Sequence, residues 1–180
     1  SYVSNGAIGL LRLGFPEVDV DFGDAMHHEY LERYAEAICE GSRVFAGLDA
    51  LLDHLDAADC PWGVVTNKPE HLTAPLLEAL GLATRSACTV SGDSLPVRKP
   101  DPGPLLLACD IASVESHRTI YVGDAARDIE AGLAAGMSTI GATYGYVPAD
   151  VDPREWGADL LVDDAKELAQ ILLKAVNLGA

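Results

Sequence analysis

Thr119-Ile120-Tyr121-Val122-Gly123-Asp124-Ala125-Ala126-Arg127-Asp128 is the stretch on which the fold turns. Four residues of strong β-propensity run into a glycine. A polar segment then opens a run that reads as helix from Arg127 to Ala135 and closes at Gly136. A short apolar strand that feeds a helix directly, with no hairpin signal between them, is half of a βαβ unit.

The same alternation extends outward in both directions. Upstream, Leu48 to Ala58 reads as a helix, Trp62 to Thr66 as a buried strand, and Pro69 to Leu80 as a helix with Gly81 as its C-cap. Ala87 to Val90 follows as a strand and Pro102 to Ala112 as a helix. Downstream, Ser138 to Ala142 and Asp159 to Val162 read as strands, and Ala165 to Val176 as the last helix. Strands alternating with helices of this length predict an α/β fold, with a parallel sheet covered on both faces, over residues 44–180. Residues 1–43 differ. Tyr30, Leu31, Tyr34, Ala37 and Ile38 fall at helical spacing within Met26 to Cys39, Gly14 to Asp24 is loop-like, and no β-alternation appears. A small helical unit is expected there.

Composition bounds the partners. Apolar residues make up 49% of the 180, enough for one sizeable core and too many for a disordered tail. Twelve basic against 28 acidic residues give a net charge of −16, with no basic stripe for a nucleic-acid backbone. Any phosphate ligand must therefore be small and met by a local cation. No stretch reaches the ~20 apolar residues of a membrane span. Cys39, Cys60, Cys88 and Cys109 match no metal-ligand spacing and read as free thiols in a reducing cytoplasm. The chain opens on Ser1 and not on methionine, and residues upstream of it are expected.

In open α/β sheets, ligands bind outside the carboxyl ends of the strands, so the residues after each strand are the candidates. Thr66-Asn67-Lys68-Pro69 places a hydroxyl beside a helix N-terminus, which is either a phosphate site or a helix cap. Arg98-Lys99-Pro100-Asp101-Pro102 holds two cations on a rigid turn; Lys99 could neutralise a phosphate or simply face solvent. Gly123-Asp124 followed by Asp128 offers two carboxylates at a helix start, fit for Mg²⁺ or for capping. Taken in order on one sheet edge, a hydroxyl, an ammonium and a metal-binding carboxylate are the equipment for stabilising a transferring phosphoryl group.

In these motifs the chain resembles the haloacid dehalogenase superfamily, in its phosphoglycolate phosphatase-like branch. Trp62 to Pro69, Arg98 to Pro102 and Tyr121 to Gly132 are similar to the family's second, third and fourth motifs. Tyr2 to Ala7 resembles the entry to the family's helical cap, and Phe45-Ala46-Gly47 the return to its core. Tyr144-Gly145-Tyr146 and Trp156 to Asp159 look like the subgroup that includes N-acetylmuramic acid 6-phosphate phosphatases. The resemblance implies a Rossmann-like core with a helical cap. It also implies a Mg²⁺-dependent phosphomonoester hydrolase acting on a small phosphorylated metabolite, as a monomer or homodimer. In the family an aspartate attacks phosphorus to form an aspartyl-phosphate, and a second aspartate protonates the leaving group. Carried over by position, Thr66 would hydrogen-bond the phosphoryl oxygens with Asn67 beside it, and Lys99 would bridge nucleophile and phosphate. Asp124 would bind Mg²⁺ and Asp128 would orient that shell. Ala125 stands where the subgroup commonly has a further aspartate.

The family's first motif, Asp-x-Asp after the first core strand, is expected upstream of Ser1. Its strand sits between those ending at Thr66 and Val122, so the sheet is expected to lack that central strand. Asp19-Val20-Asp21-Phe22-Gly23 imitates the motif, but Leu13 to Val18 before it contains Gly14 and Pro16 and reads as loop, not strand. The alternative is a catalytically inactive relative that binds a phosphorylated ligand or a protein. For the substrate, Asn5 and Gly6 could meet the leaving group, and Arg12 or Arg43 could pair with a carboxylate.

Overall fold

A computed structural model describes residues 6–21 and 24–179. Among the described residues, seven α-helices and five strands follow in order: α1 Gly6–Gly14, α2 Ala25–Glu36, α3 Leu48–Ala57, β1 Gly63–Val65, α4 Glu70–Ala79, β2 Cys88–Val90, α5 Gly103–Ala112, β3 Ile120–Gly123, α6 Ala126–Ala134, β4 Ser138–Ala142, β5 Leu160–Val162 and α7 Ala165–Gly179. All strand pairings are parallel. β1 pairs β2 with Gly63 opposite Cys88, and β4 lies between β3 and β5, with Gly123 opposite Gly141 and Ile140 opposite Leu160.

Helices cover both faces, as parallel strands require. Leu105 and Cys109 of α5 meet Ala131 of α6, Ala135 and Met137 on one face, against Val65 of β1 and Tyr121 of β3. Ile140, Ala142, Val162 and Leu168 of α7 form the other core, against Val122 and Leu48. Tyr121 and Val122 thus point to opposite faces, the period-two alternation of a strand. α3 packs on α7 through Leu51, Leu55 and Ala169. All four cysteines are free thiols, and burial, with a smaller push from Cys109, raises the pKa of Cys88. A thiol so placed is a packing residue, not a nucleophile.

The strands fall into two sheets, β1-β2 and β3-β4-β5. β1 and β3 share a helical floor yet exchange no ladder hydrogen bonds among the described residues. Only side chains span that interval: Lys99 Nζ donates to Val65 O at 2.8 Å and to Tyr121 Oη at 2.8 Å.

α1 and α2 pack on each other around Ile8, Leu11 and Val20, with Met26 and Tyr30 against them. Helix α2 stops at Glu36, short of the expected Cys39. Its final bond runs from Ala37 N to Arg33 O, and the chain then turns with Ser42 N donating to Cys39 O. Gly41 follows within that turn, where a helix loses backbone preference. Asp19 to Asp21 is irregular backbone beside α1, not the end of a strand. No helix among the described residues is long and apolar enough to cross a membrane.

Candidate active site

The loops leaving β1, β2, β3 and β4 meet at one end of the strands. Thr66 N extends the β1-β2 ladder by donating to Val90 O at 2.9 Å. Its side-chain Oγ1 accepts from Lys68 N at 3.1 Å, which leaves the hydroxyl proton unspent among the described contacts. Neither Thr66 nor Asn67 caps the next helix: the N-cap of α4 is Pro69, without a side-chain cap.

Asn67 grips the β2 loop. Its Oδ1 accepts from Lys99 N at 3.1 Å and its Nδ2 donates to Lys99 O at 3.0 Å, a clamp between residues 32 apart. The side-chain amide is thus spent on backbone, and its effect on any ligand passes through Lys99.

The Lys99 side chain is 9% exposed and that of Asp128 is 7% exposed. Their Nζ and Oδ1 lie 2.8 Å apart. Although that distance is an ion pair, Oδ1 receives no hydrogen bond of acceptable angle. The short distance makes the Coulomb attraction certain, while the poor angle leaves an acceptor lobe of Oδ1 open. The ammonium's aligned bonds go instead to Val65 O and Tyr121 Oη. Burial raises the pKa of Tyr121 strongly, and Asp128 and then Asp124 push it further in the same direction. The phenol therefore stays neutral, accepting from Lys99 and donating to Val65 O at 3.3 Å.

Gly123 makes the position of Asp128 possible: a Cβ there would collide with the Asp128 Cβ and Cγ. Gly123→Ala is expected to destabilise the fold by about 1–3 kcal/mol through overpacking, read as a lower urea midpoint at unchanged slope. Asp124 does not cap α6, whose N-cap is Ala125 without a side-chain cap. Its Oδ2 accepts from Tyr146 N at 3.1 Å. Gly145 lets that loop come close, since a Cβ there would strike Asp124.

For Mg²⁺, Asp124 offers one carboxylate at a strand end. No cluster of three or more His, Cys, Asp or Glu that could hold a metal is found among the described residues. Mg²⁺ commonly takes one or two protein carboxylates and fills its octahedron with water and phosphate oxygens, so Asp124 fits as one ligand of such a site.

Direct contacts link Asn67, Lys99 and Asp128; Thr66 precedes Asn67 at the end of β1, and Asp124 follows β3, where its charge acts on the Tyr121 phenol that bonds Lys99. Arg12 does not join them. Its guanidinium, on an exposed side chain, donates to Val20 O at 3.1 and 3.2 Å and to Asp21 at 3.0 Å. Gly6 and Arg43 are exposed, and Asn5 lies outside the described residues. Four features escaped the sequence: the Asn67 clamp on the Lys99 backbone, the Tyr121 hydroxyl on Lys99, the Tyr146 amide on Asp124, and a contact of Lys68 Nζ with Tyr34 Oη at 2.7 Å. Only the phenol of Tyr121 in an otherwise apolar strand gave a local hint. A concavity of about 400 Å³ lies at the opposite ends of the strands, lined by Asp56, Trp62 and Arg85. Within it Asp56 is already paired with Trp62 Nε1 at 2.8 Å and with Arg85 at 2.7 Å.

A family model described as haloacid dehalogenase-like hydrolase matches residues 11–142. A phosphoglycolate phosphatase of Xanthomonas campestris pv. campestris is 41% identical over 166 residues, which cover 92% of this chain and 75% of that protein. An N-acetylmuramic acid 6-phosphate phosphatase of Pseudomonas aeruginosa is 39% identical over 175 residues, 97% of this chain and 77% of that protein. The crystal structure of a predicted phosphoglycolate phosphatase from Haemophilus somnus matches with a TM-score of 0.80 at 26% identity, covering 92% of this chain and 75% of that one.

Proposed function

The chain belongs to the haloacid dehalogenase-like hydrolase family, and from that premise we propose that it hydrolyses the phosphate monoester of a small metabolite with Mg²⁺. Phosphoglycolate and N-acetylmuramic acid 6-phosphate are the first candidates, because relatives at 41% and 39% identity carry those names. The observation that carries the reading is the buried Lys99 ammonium, fixed between β1, β3 and Asp128 and bonded to Val65, the residue before Thr66, whose hydroxyl proton is unspent among the described contacts. A cation and a donor so preorganised stabilise charge on a phosphoryl group without reorganising during the reaction.

The nucleophile is an aspartate on a strand that precedes Ser1 and enters the interval between β1 and β3. The facing edges of those strands, unpaired among the described residues, support this placement, as does the irregular backbone of Asp19 and Asp21, which follow no strand. Its carboxylate attacks phosphorus, the ester P–O bond breaks, and the leaving alcohol takes a proton from a neighbouring acid. Water then splits the acyl phosphate and returns the carboxylate. Thr66 holds a phosphoryl oxygen, Lys99 draws the nucleophile and phosphoryl group together, and Asp128 holds Lys99. Asp124 would bind Mg²⁺, which supplies Lewis-acid neutralisation of phosphoryl charge. Helices α1 and α2 form the cap over this end. Four free thiols support a cytoplasmic setting.

Phosphate release by the protein carrying its upstream segment, from a panel of esters including both candidates, tests the reading. Turnover that needs Mg²⁺ and stops with EDTA is expected; phosphate binding without turnover would instead favour an inactive binding module. Asn67→Ala, which frees the Lys99 backbone, is expected to lower kcat about 10–100-fold with little change in KM, since each lost hydrogen bond is worth about 1 kcal/mol. Steady-state kinetics at fixed Mg²⁺ read that split.

A further inference from the structure

Lys68 is a cation with neutral company in a strongly acidic chain. Arg12, Arg33, Arg85, Lys99 and Arg154 each hold a carboxylate within ion-pair distance. The half-buried Lys68 instead places its ammonium 2.7 Å from Tyr34 Oη and 4.2 Å from the centre of that ring. No carboxylate pairs with it among the described residues. Its backbone is pinned on three sides: N donates to Thr66 Oγ1 at 3.1 Å, while O accepts from Gly92 N at 2.8 Å and from Thr73 Oγ1 at 3.1 Å. Tyr34 is braced as well, its ring stacked on Tyr30 with centroids 6.4 Å apart, and Tyr30 packs into the α1-α2 core. The contact joins helix α2 to the loop that carries Thr66.

From this we infer that Lys68 is the specificity-determining residue of the site, recognising a carboxylate carried on the alcohol side of the phosphate ester. The assignment rests on the hydrolase reading above. An ammonium two residues from Thr66, already desolvated in part and without a carboxylate partner among the described residues, gains a charge-assisted bond when a second anion enters. Tyr34 Oη accepts from Lys68 in the free protein and keeps its own proton, so it can donate to the same carboxylate. A neutral ester offers neither gain. The role that the sequence suggested for Arg12 or Arg43 is assigned in this reading to a lysine with no acidic partner to give up among the described residues.

Two ester pairs test this in the protein carrying its upstream segment: phosphoglycolate against 2-hydroxyethyl phosphate, and N-acetylmuramic acid 6-phosphate against N-acetylglucosamine 6-phosphate. The first pair differs in a carboxylate, the second in the lactyl ether that carries one. The ratio of kcat/KM, carboxylate ester over neutral ester, is expected to fall about 10–100-fold in Lys68→Met for the better-used pair, the worth of one charged hydrogen bond. Lys68→Arg is expected to keep most of the preference. A ratio in Lys68→Met within about twofold of wild type in both pairs would overturn the inference. Calorimetric Kd ratios for the same esters measure the preference without turnover. Loss of hydrolysis in wild type with a Lys68-dependent Kd ratio would therefore sink the hydrolase reading and leave the carboxylate site standing.

Discussion

Lys99→Met is expected to lower kcat for the preferred ester about 10²–10³-fold, the cost of removing one preorganised donor from a transition state. The same substitution strands Asp128, whose side chain is 7% exposed and whose Oδ1 has the Lys99 ammonium as its ion-pair partner. Removing one member of a buried pair costs about 3–5 kcal/mol, so the variant is expected to unfold at clearly lower urea. Activity and stability are then separable by a second change. Lys99→Met with Asp128→Asn removes the stranded charge and is expected to recover part of the stability but none of the turnover. Equilibrium unfolding and initial rates on the three proteins check this. Recovery of activity in the double variant would show that Lys99 acts only by neutralising Asp128.

Asp124→Asn carries the second large effect. The amide keeps an oxygen for the Tyr146 N–H, now 3.1 Å from Oδ2, so the loop after β4 should stay in place. It loses the negative charge that a hard cation needs. Turnover at millimolar Mg²⁺ is expected to fall at least about 100-fold, in line with the loss of a main electrostatic group. A readout independent of activity comes from linkage. A cation that binds only the folded state at 100 times its Kd adds about 2.7 kcal/mol of stability, so Mg²⁺ should raise the melting temperature of wild type and leave that of Asp124→Asn unmoved. An equal Mg²⁺-induced rise in both proteins would remove Asp124 from the metal site.

Much of the framework was legible because it is written locally. The run from Thr119 to Gly136 encodes strand, turn and helix in consecutive residues, and the strands after Trp62, Ala87 and Asp159 repeat that order. Gly81 and Gly136 close their helices in left-handed backbone, as expected of C-cap glycines. The candidate site was legible as a set of strand-end residues because sheet topology brings such ends together. What could not be read were the side-chain contacts that cross the chain. Asn67 reaches the Lys99 backbone over 32 residues, and Lys68 meets Tyr34 over 34. Neither pairing leaves a trace in periodicity or composition. The partners of Arg12 went unread for the same reason. An arginine near a helix end gives no sign in the sequence that Val20 O and Asp21 will occupy it.

Thr66, Lys99, Asp124 and Asp128, in the reading proposed, form a phosphoryl-transfer site completed by an aspartate from an upstream strand. Inorganic phosphate release, with Mg²⁺ and phosphoglycolate or p-nitrophenyl phosphate, tests this when residues 1–180 are compared with the protein carrying its upstream segment. Steady turnover is expected from the longer protein, and none above background from residues 1–180. Equal turnover by both, abolished by Asp19→Asn, would place the nucleophile in the helical pair and refute the upstream strand.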